Sequence, residues 1–386
     1  MTLPPQSLIY LDHNATTPVD PAVREAMMPY LAGEFGNPSS GYPLGIRARE
    51  GVEHAREEVA ALLGCAPSEV FFTSGGSESN NTVLKGVVDF RNPEKCHIIT
   101  CAVEHPAVLN PCLFLVELGA KVTILPVDGL GRVDPEAVEK AIEPRTRLVS
   151  IMLANNETGT FQPLAEISRI TRAKGVLLHT DAAQAVGKIP VDVESLGVDF
   201  LSVAGHKLYA PKGIGALYVR EGKSVTPLIH GASQERGLRA GTENVVLAAG
   251  LGAACRVARE RMEGDLEGMK AMRDRLQEIL FEGIEGLVLN GDPEKRLPNT
   301  LNVSVPGLEG AKILSGLQGL MASTGAACHE DRVSMSHVLS AMKVPERVAM
   351  GTLRLTVGRS NSMAQVEEAG RMLVARVQEM RNEKEP

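Results

Sequence analysis

Lys207 stands in "DFLSVAGHKLYAPKGIGALYV", between two apolar runs that read as strands. A lysine at a strand end commonly just reaches solvent. Held in a partly dry pocket, its pKa falls and the amine can attack carbonyls. Four further stretches bear on the choice. "FFTSGGSESNN" brings Gly75, Gly76 and Ser77 to the start of a helix, where free backbone N–H groups and the helix dipole can seat a phosphate. "AVEHPAV" sets Glu104 and His105 at a second strand end, and "LANNETG" sets Asn155, Asn156 and Glu157 at a third. "LLHTDAAQ" places Asp181 directly after an apolar strand, with Gln184 one turn on. Each alone is compatible with an ordinary satisfied polar residue. Five such ends on one edge are hard to explain by packing. A lysine for a Schiff base, a carboxylate to keep a pyridine nitrogen protonated and a phosphate seat together point to pyridoxal phosphate.

The elements that must position these residues alternate. "EVFFT", "CHIITCAV", "KVTILPV", "RLVSIMLA", "VLLHTD" and "DFLSV" read as strands. Between most of them lie helix-length stretches such as "TVLKGVVDF", "PAVLNPCLFLVELG", "DPEAVEKAI" and "LAEISRITRAKG". This alternation predicts an α/β fold with a mostly parallel sheet covered by helices on both faces. Ligands bind such sheets beyond the carboxyl ends of the strands. After about residue 243 a long helical stretch leads to an α+β part, with "LPNTLNVSVP" and "LRLTVGRS" as strands. The expected division is a large cofactor-binding domain over 15–260 and a small one built from 1–14 and 261–386.

The chain has 386 residues, 44% hydrophobic and 23% charged, with net charge -7. That profile, without a basic cluster, argues for a globular protein and against nucleic acid as a partner. No apolar run approaches the roughly 20 residues of a membrane helix. "MTLPPQSLIYLDHNATT" lacks the layout of a signal peptide, so a cytoplasmic location is expected. The six cysteines include no C-x-x-C pair, and neither a metal site nor a disulfide is expected. Five lie in apolar or helical contexts. Cys328, in "ASTGAACHEDRVSMSH", has small polar neighbours that suggest a loop.

"YLDHNATTPVD", "FGNPSS", "FFTSGGSESNN", "VEHPAV", "NNETG", "HTDAAQ", "GHKLYAPKGIGALY", "RAGTEN", "LPNTLNVSV", "STGAACH" and "LRLTVGR" resemble, in order, the cysteine desulfurases among the fold-type I pyridoxal-phosphate enzymes. The resemblance implies that fold, with a seven-stranded sheet in the large domain. Lys207 resembles the Schiff-base lysine, and His105 the histidine that stacks on the cofactor ring and assists proton transfer. Asp181 resembles the partner of the pyridine nitrogen. Gln184 and Asn156 resemble the residues around the phenolic oxygen, and Asn156 also borders the substrate. Gly76, Ser77 and His206 match phosphate contacts. Thr242 matches a threonine that reaches the neighbouring subunit's phosphate, which implies a homodimer. Arg354 resembles the arginine that grips the substrate carboxylate.

Cys328 resembles the nucleophile, whose thiolate takes sulfur from L-cysteine to give L-alanine and a persulfide. The eight-residue interval from Cys328 to Ser336 resembles the desulfurases that hand sulfur to an acceptor, such as an iron–sulfur scaffold protein. Three features depart from the pattern: Ala204 where many members have serine, "GAACH" where many have "GSACT", and "VGRS" where an aromatic residue is common. With "MLANNETG", these resemble the selenocysteine lyases, a sister branch acting on L-selenocysteine.

Overall fold

The computed structural model describes residues 8–324, 335–383 and, as backbone, 328, 329, 332 and 333. A two-residue strand β1 (Ile9–Tyr10) precedes seven strands that form one sheet: β2 (Val70–Thr73), β3 (His97–Cys101), β4 (Lys121–Leu125), β5 (Thr146–Ser150), β6 (Leu177–Asp181), β7 (Phe200–Ala204) and β8 (Gly215–Val219). Their spatial order is β2-β8-β7-β6-β5-β3-β4. Only β8 runs against its neighbours β2 and β7; the other pairs are parallel. The mostly parallel seven-stranded sheet expected from the sequence is therefore present.

Apart from edge strand β4, where Lys121 and Ile124 are exposed, the strands are mostly buried because both sheet faces are covered. Successive residues point to opposite faces. Ile98, Leu148, Phe200 and Leu217 belong to one apolar cluster. Their neighbours Ile99, Val149, Leu201 and Ala216 belong to another. Helices Gly76–Gly86 and Pro106–Glu117 lie with the first cluster; Pro43–Leu63 and Leu164–Lys174 lie with the second. Asp134 caps helix Pro135–Ala141 by accepting from the Glu136 N–H, as its sequence suggests.

Helix Val245–Gly283 spans the boundary expected near residue 260. It gives Leu251 and Cys255 to the cluster under the large sheet and Met269, Leu276 and Leu280 to a third cluster. That third cluster includes Ile9 and Leu11 and packs around β9 (Val288–Leu289), β10 (Thr300–Ser304), β11 (Leu320–Met321) and a strand at Thr352–Thr356. The backbone at β12 (Cys328–His329) pairs antiparallel with β13 (Arg332–Val333). The strand at Thr352–Thr356, β14, completes the antiparallel sheet β14-β10-β9.

In chain order β3 leads to β4 on one side, while β5, β6 and β7 follow on the other. The order thus reverses between β3 and β5, and in open α/β sheets the ligand crevice lies at that reversal. The segments after β2, β3, β5, β6 and β7 all leave the sheet at this edge.

Candidate active site

A cavity of about 420 Å³ opens at the carboxyl edge. It is lined by Gly76 and Ser77 after β2, His105 after β3, Asn156 after β5, Asp181 and Gln184 from β6 onward, and His206 and Lys207 after β7. Arg354 of β14 closes it from the second sheet. The structure brings together every site residue expected from the sequence except two. Thr242 is exposed and lies outside the cavity of its own chain. The side chain of Cys328 lies outside the described residues.

Lys207 ends the single 3-10 turn Gly205–Lys207 that follows β7. Its Nζ donates to the carbonyls of Asn14 at 2.6 Å and Ala15 at 2.7 Å. Burial, reinforced by the Arg354 guanidinium, pulls its pKa down to about 8. The amine is therefore neutral far more often than a surface lysine's. Asp181 is buried: Oδ2 accepts from Asn80 Nδ2 at 2.7 Å and Oδ1 from the Ala183 N–H at 2.9 Å. Two neutral donors fix the carboxylate in place.

His105 is the N-cap of helix Pro106–Glu117, and its Nδ1 accepts from the Ala107 N–H at 3.0 Å. The neutral ring thus carries its proton on Nε2. Although the residue is exposed at the cavity mouth, partial desolvation by the surrounding protein lowers its pKa, opposed by Asp181. His206 Nδ1 lies 3.2 Å from Thr16 Oγ1, and burial drops its pKa to about 4. Arg354 donates through Nη2 to Asp12 Oδ1 at 2.8 Å and through Nη1 to the Asn156 carbonyl at 3.3 Å, while its buried Nε has no partner.

Ser77 and Gly76 open helix Gly76–Gly86, whose first N–H groups have no intrahelical acceptor. Gly75 before it has φ 148°, a conformation side chains rarely adopt. The turn packs so closely on β8 that a Cβ at Gly215 would stand 2.7 Å from Gly75 Cα. This is why "GIGALY" opens a strand with a glycine.

Several groups that hold the site are not among those expected from the sequence. Asn14 joins both sheets: its carbonyl receives Lys207 and Gln184, and its side chain reaches Thr300 Oγ1 at 2.9 Å. Asn80 holds Asp181, and Asp12 holds Arg354. Beneath Asp181, the buried ring of His179 bridges Ser150 at 2.8 Å and Ser202 at 3.0 Å. The polar run "LDHN" after an apolar strand and the second "N" pair in "SESNN" carried the available signal.

Residues 9–368 match the family model described as Aminotransferase class-V. The chain belongs to that family. It is 48% identical over 352 residues to "Cysteine desulfurase IscS" of Dictyoglomus turgidum, covering 91% of this chain and 89% of that one. It is 44% identical over 376 residues to the protein of the same name from Methanosarcina thermophila, covering 97% and 93%. Among solved structures, a "NifS-like protein" superposes with a TM-score of 0.89 at 40% identity, covering 96% of this chain and 99% of that one. "SspA in complex with cysteine" superposes with a TM-score of 0.81 at 37% identity, covering 92% and 99%. The chain is a pyridoxal-phosphate enzyme of fold type I.

The residues present fit that cofactor. Asp181 offers free acceptor capacity to a pyridinium N–H, and His105 offers a ring to lie on. Lys207 would supply the amine, and the helix N-terminus with Ser77 and His206 would supply phosphate donors. Asn156 Oδ1 and Asn80 Oδ1 are buried here without partners, as expected of a polar cradle built around a ligand.

Proposed function

We propose that this chain is a cysteine desulfurase, which removes sulfur from L-cysteine and leaves L-alanine. The observation that carries the reading is the meeting of Lys207, Asp181, His105 and Arg354 on one cavity. The substrate carboxylate is held by Arg354, with its Nη and Nε groups matched to two oxygens. Bound pyridoxal phosphate supplies the electron sink that stabilises charge at the substrate Cα. Asp181 keeps the proton on the pyridine nitrogen that makes the sink effective. Lys207, its affinity for protons lowered by burial, takes the Cα proton once its amine is free. His105 presents Nε2–H toward the reacting groups and assists proton transfer there.

Cys328 receives the sulfur: its thiolate attacks the substrate sulfur, the C–S bond breaks, and a persulfide forms on the enzyme. The short chain distances from Cys328 to residues at this site support that role. Ser323, five residues before it, pairs with Arg354 through both backbone groups, a reach of at most roughly 17 Å. Ser336, eight residues after it, donates to Glu157 Oε2 at 2.5 Å, next to Asn156. The two domains divide as 15–260 and 1–14 with 261–386, the smaller carrying the cysteine. A cytoplasmic homodimer, in which Thr242 of the partner subunit completes the phosphate site, and an acceptor such as an iron–sulfur scaffold complete the reading. No helix among the described residues is long and apolar enough to cross a membrane.

The test is to treat holoenzyme with one equivalent of L-cysteine, quantify alanine and map sulfur by peptide mass. Alanine with one added sulfur on Cys328 is expected, and Cys328→Ala should retain none. Alanine formed by the wild type with Cys328 unmodified would overturn the assignment. L-Selenocysteine is the second substrate reading, supported by Ala204, whose methyl faces the cavity where many desulfurases carry serine. A kcat/KM for L-selenocysteine that survives Cys328→Ala, with negligible turnover of L-cysteine by the wild type, would make it the first.

A further inference from the structure

Lys188 is buried among polar groups just behind the cavity wall, four residues after Gln184. No carboxylate of the described residues pairs with it. Its Nζ donates to Gln184 Oε1 at 2.7 Å and to Asn14 Oδ1 at 3.2 Å. Two donors meeting two acceptors suit a neutral amine, and burial together with Lys207 and Arg354 pushes the Lys188 pKa well down. A buried lysine without a counter-ion is expensive to keep unless its donors matter.

Its effect falls on Gln184. The Gln184 amide is held on both atoms: Oε1 receives Lys188, and Nε2 donates to the Asn14 carbonyl at 3.0 Å. Turning the amide over would set Oε1 against that carbonyl, oxygen facing oxygen. The amide is thus fixed with its nitrogen toward Asn14 and the cavity, and one N–H remains for a ligand acceptor. The Asn14 carbonyl also receives Lys207 Nζ, so one hub positions both the amine and the amide.

We propose that Lys188 is a positioning residue, which holds the Gln184 amide so that an N–H points at the phenolic oxygen of the bound cofactor. This rests on the reading that Gln184 faces that oxygen. A donor there competes with the proton of the Lys207–cofactor linkage for the same oxygen. Losing the donor lets the linkage keep its proton to higher pH. Arg354, Asp181, Asp12, His105 and His206 are the other titratable groups around Lys207, and the variants below leave all of them in place.

The experiment titrates the visible absorbance of the bound cofactor in the wild type, Lys188→Met, Lys188→Gln, Gln184→Ala and the Lys188→Met/Gln184→Ala double variant. Lys188→Met and Gln184→Ala should each raise the midpoint by about one pH unit, a tenfold change. The double variant should add nothing further. Lys188→Gln, which keeps an N–H for Gln184 Oε1, should move back toward the wild type. A shift in Gln184→Ala with none in Lys188→Met would overturn the role of Lys188 alone. No shift in Gln184→Ala would overturn the placement of Gln184 itself. Equal shifts in the Met and Gln variants would mark a merely structural effect and also overturn the proposal. Should Lys188→Met not fold, a crystal structure of the wild-type holoenzyme decides: Lys188 Nζ must remain on Gln184 Oε1, and its absence there contradicts the inference.

Discussion

The two edges of the central sheet treat the same residue types in opposite ways. At the amino end of β3, His97 is buried and both ring nitrogens are used, Nδ1 on Thr146 Oγ1 and Nε2 on Thr123 Oγ1, each at 2.8 Å. Four residues past the carboxyl end of the same strand, His105 spends Nδ1 on its helix and leaves Nε2 to the cavity. Asp199, before β7, accepts from the Leu178 N–H at 2.9 Å and pairs with Lys223 at 3.4 Å. Lys207, beyond the other end of β7, has only carbonyls for its amine. Asn80, Asn156 and Arg354, which line the cavity, each keep a buried atom without a partner. A polar group whose bonds are complete holds the fold; one left incomplete beside a cavity is available to a ligand.

Substitutions can break that contrast, and the largest effect belongs to Lys207. Lys207→Ala should lower kcat by at least about 10⁴-fold, since it removes the group proposed as both attachment amine and base. Lys223→Ala, at the other edge, should leave kcat within about twofold. Asp181→Asn should keep the cofactor bound yet cost about 10³-fold in kcat, the scale of a lost electrostatic partner; undiminished turnover would remove Asp181 from the site. The histidines sharpen the contrast further. His105→Ala should cost about 10²-fold in kcat with little change in Tm. His97→Ala should leave kcat intact and lower stability by about 1–3 kcal/mol, because the buried ring and its hydrogen bonds to Thr146 and Thr123 are lost. The reverse pattern would refute the difference between the edges.

The last effect is one of pH. Lys207 in the folded chain has a pKa of about 8, below its ordinary value near 10.4. Between those values the unfolded chain binds more protons, so apoenzyme stability should rise as pH climbs through that window. The rise attributable to Lys207 is at most about 3 kcal/mol, and Lys207→Met should flatten it in denaturant titrations. A slope unchanged by the substitution would mean that the amine is not held in a dry site.

Much of this was legible in the sequence because strands bounded by glycine and polar residues announce where a parallel sheet ends. Lys207, Asp181, His105 and the Gly75–Gly76 turn each sit directly after an apolar run, so their shared edge follows from alternation alone. The residues that hold them were not legible in this way. Asn14 lies 193 residues from Lys207, and Arg354 lies 342 residues from Asp12. No local pattern encodes such pairings, which depend on how the amino-terminal segment is laid between the two sheets. Lys188 was hidden for another reason: a lysine in "AVGKIP" reads as a surface residue until the acceptors around its amine are seen.

Two lysines with depressed pKa values stand near this cavity, Lys188 buried and Lys207 half-buried, and of the two only Lys207 lines it. The most direct test of the account is borohydride reduction of the holoenzyme, followed by peptide mapping of the attached cofactor. One equivalent per chain is expected, on the peptide that carries Lys207. Cofactor found on Lys188, or on any other lysine, would contradict it.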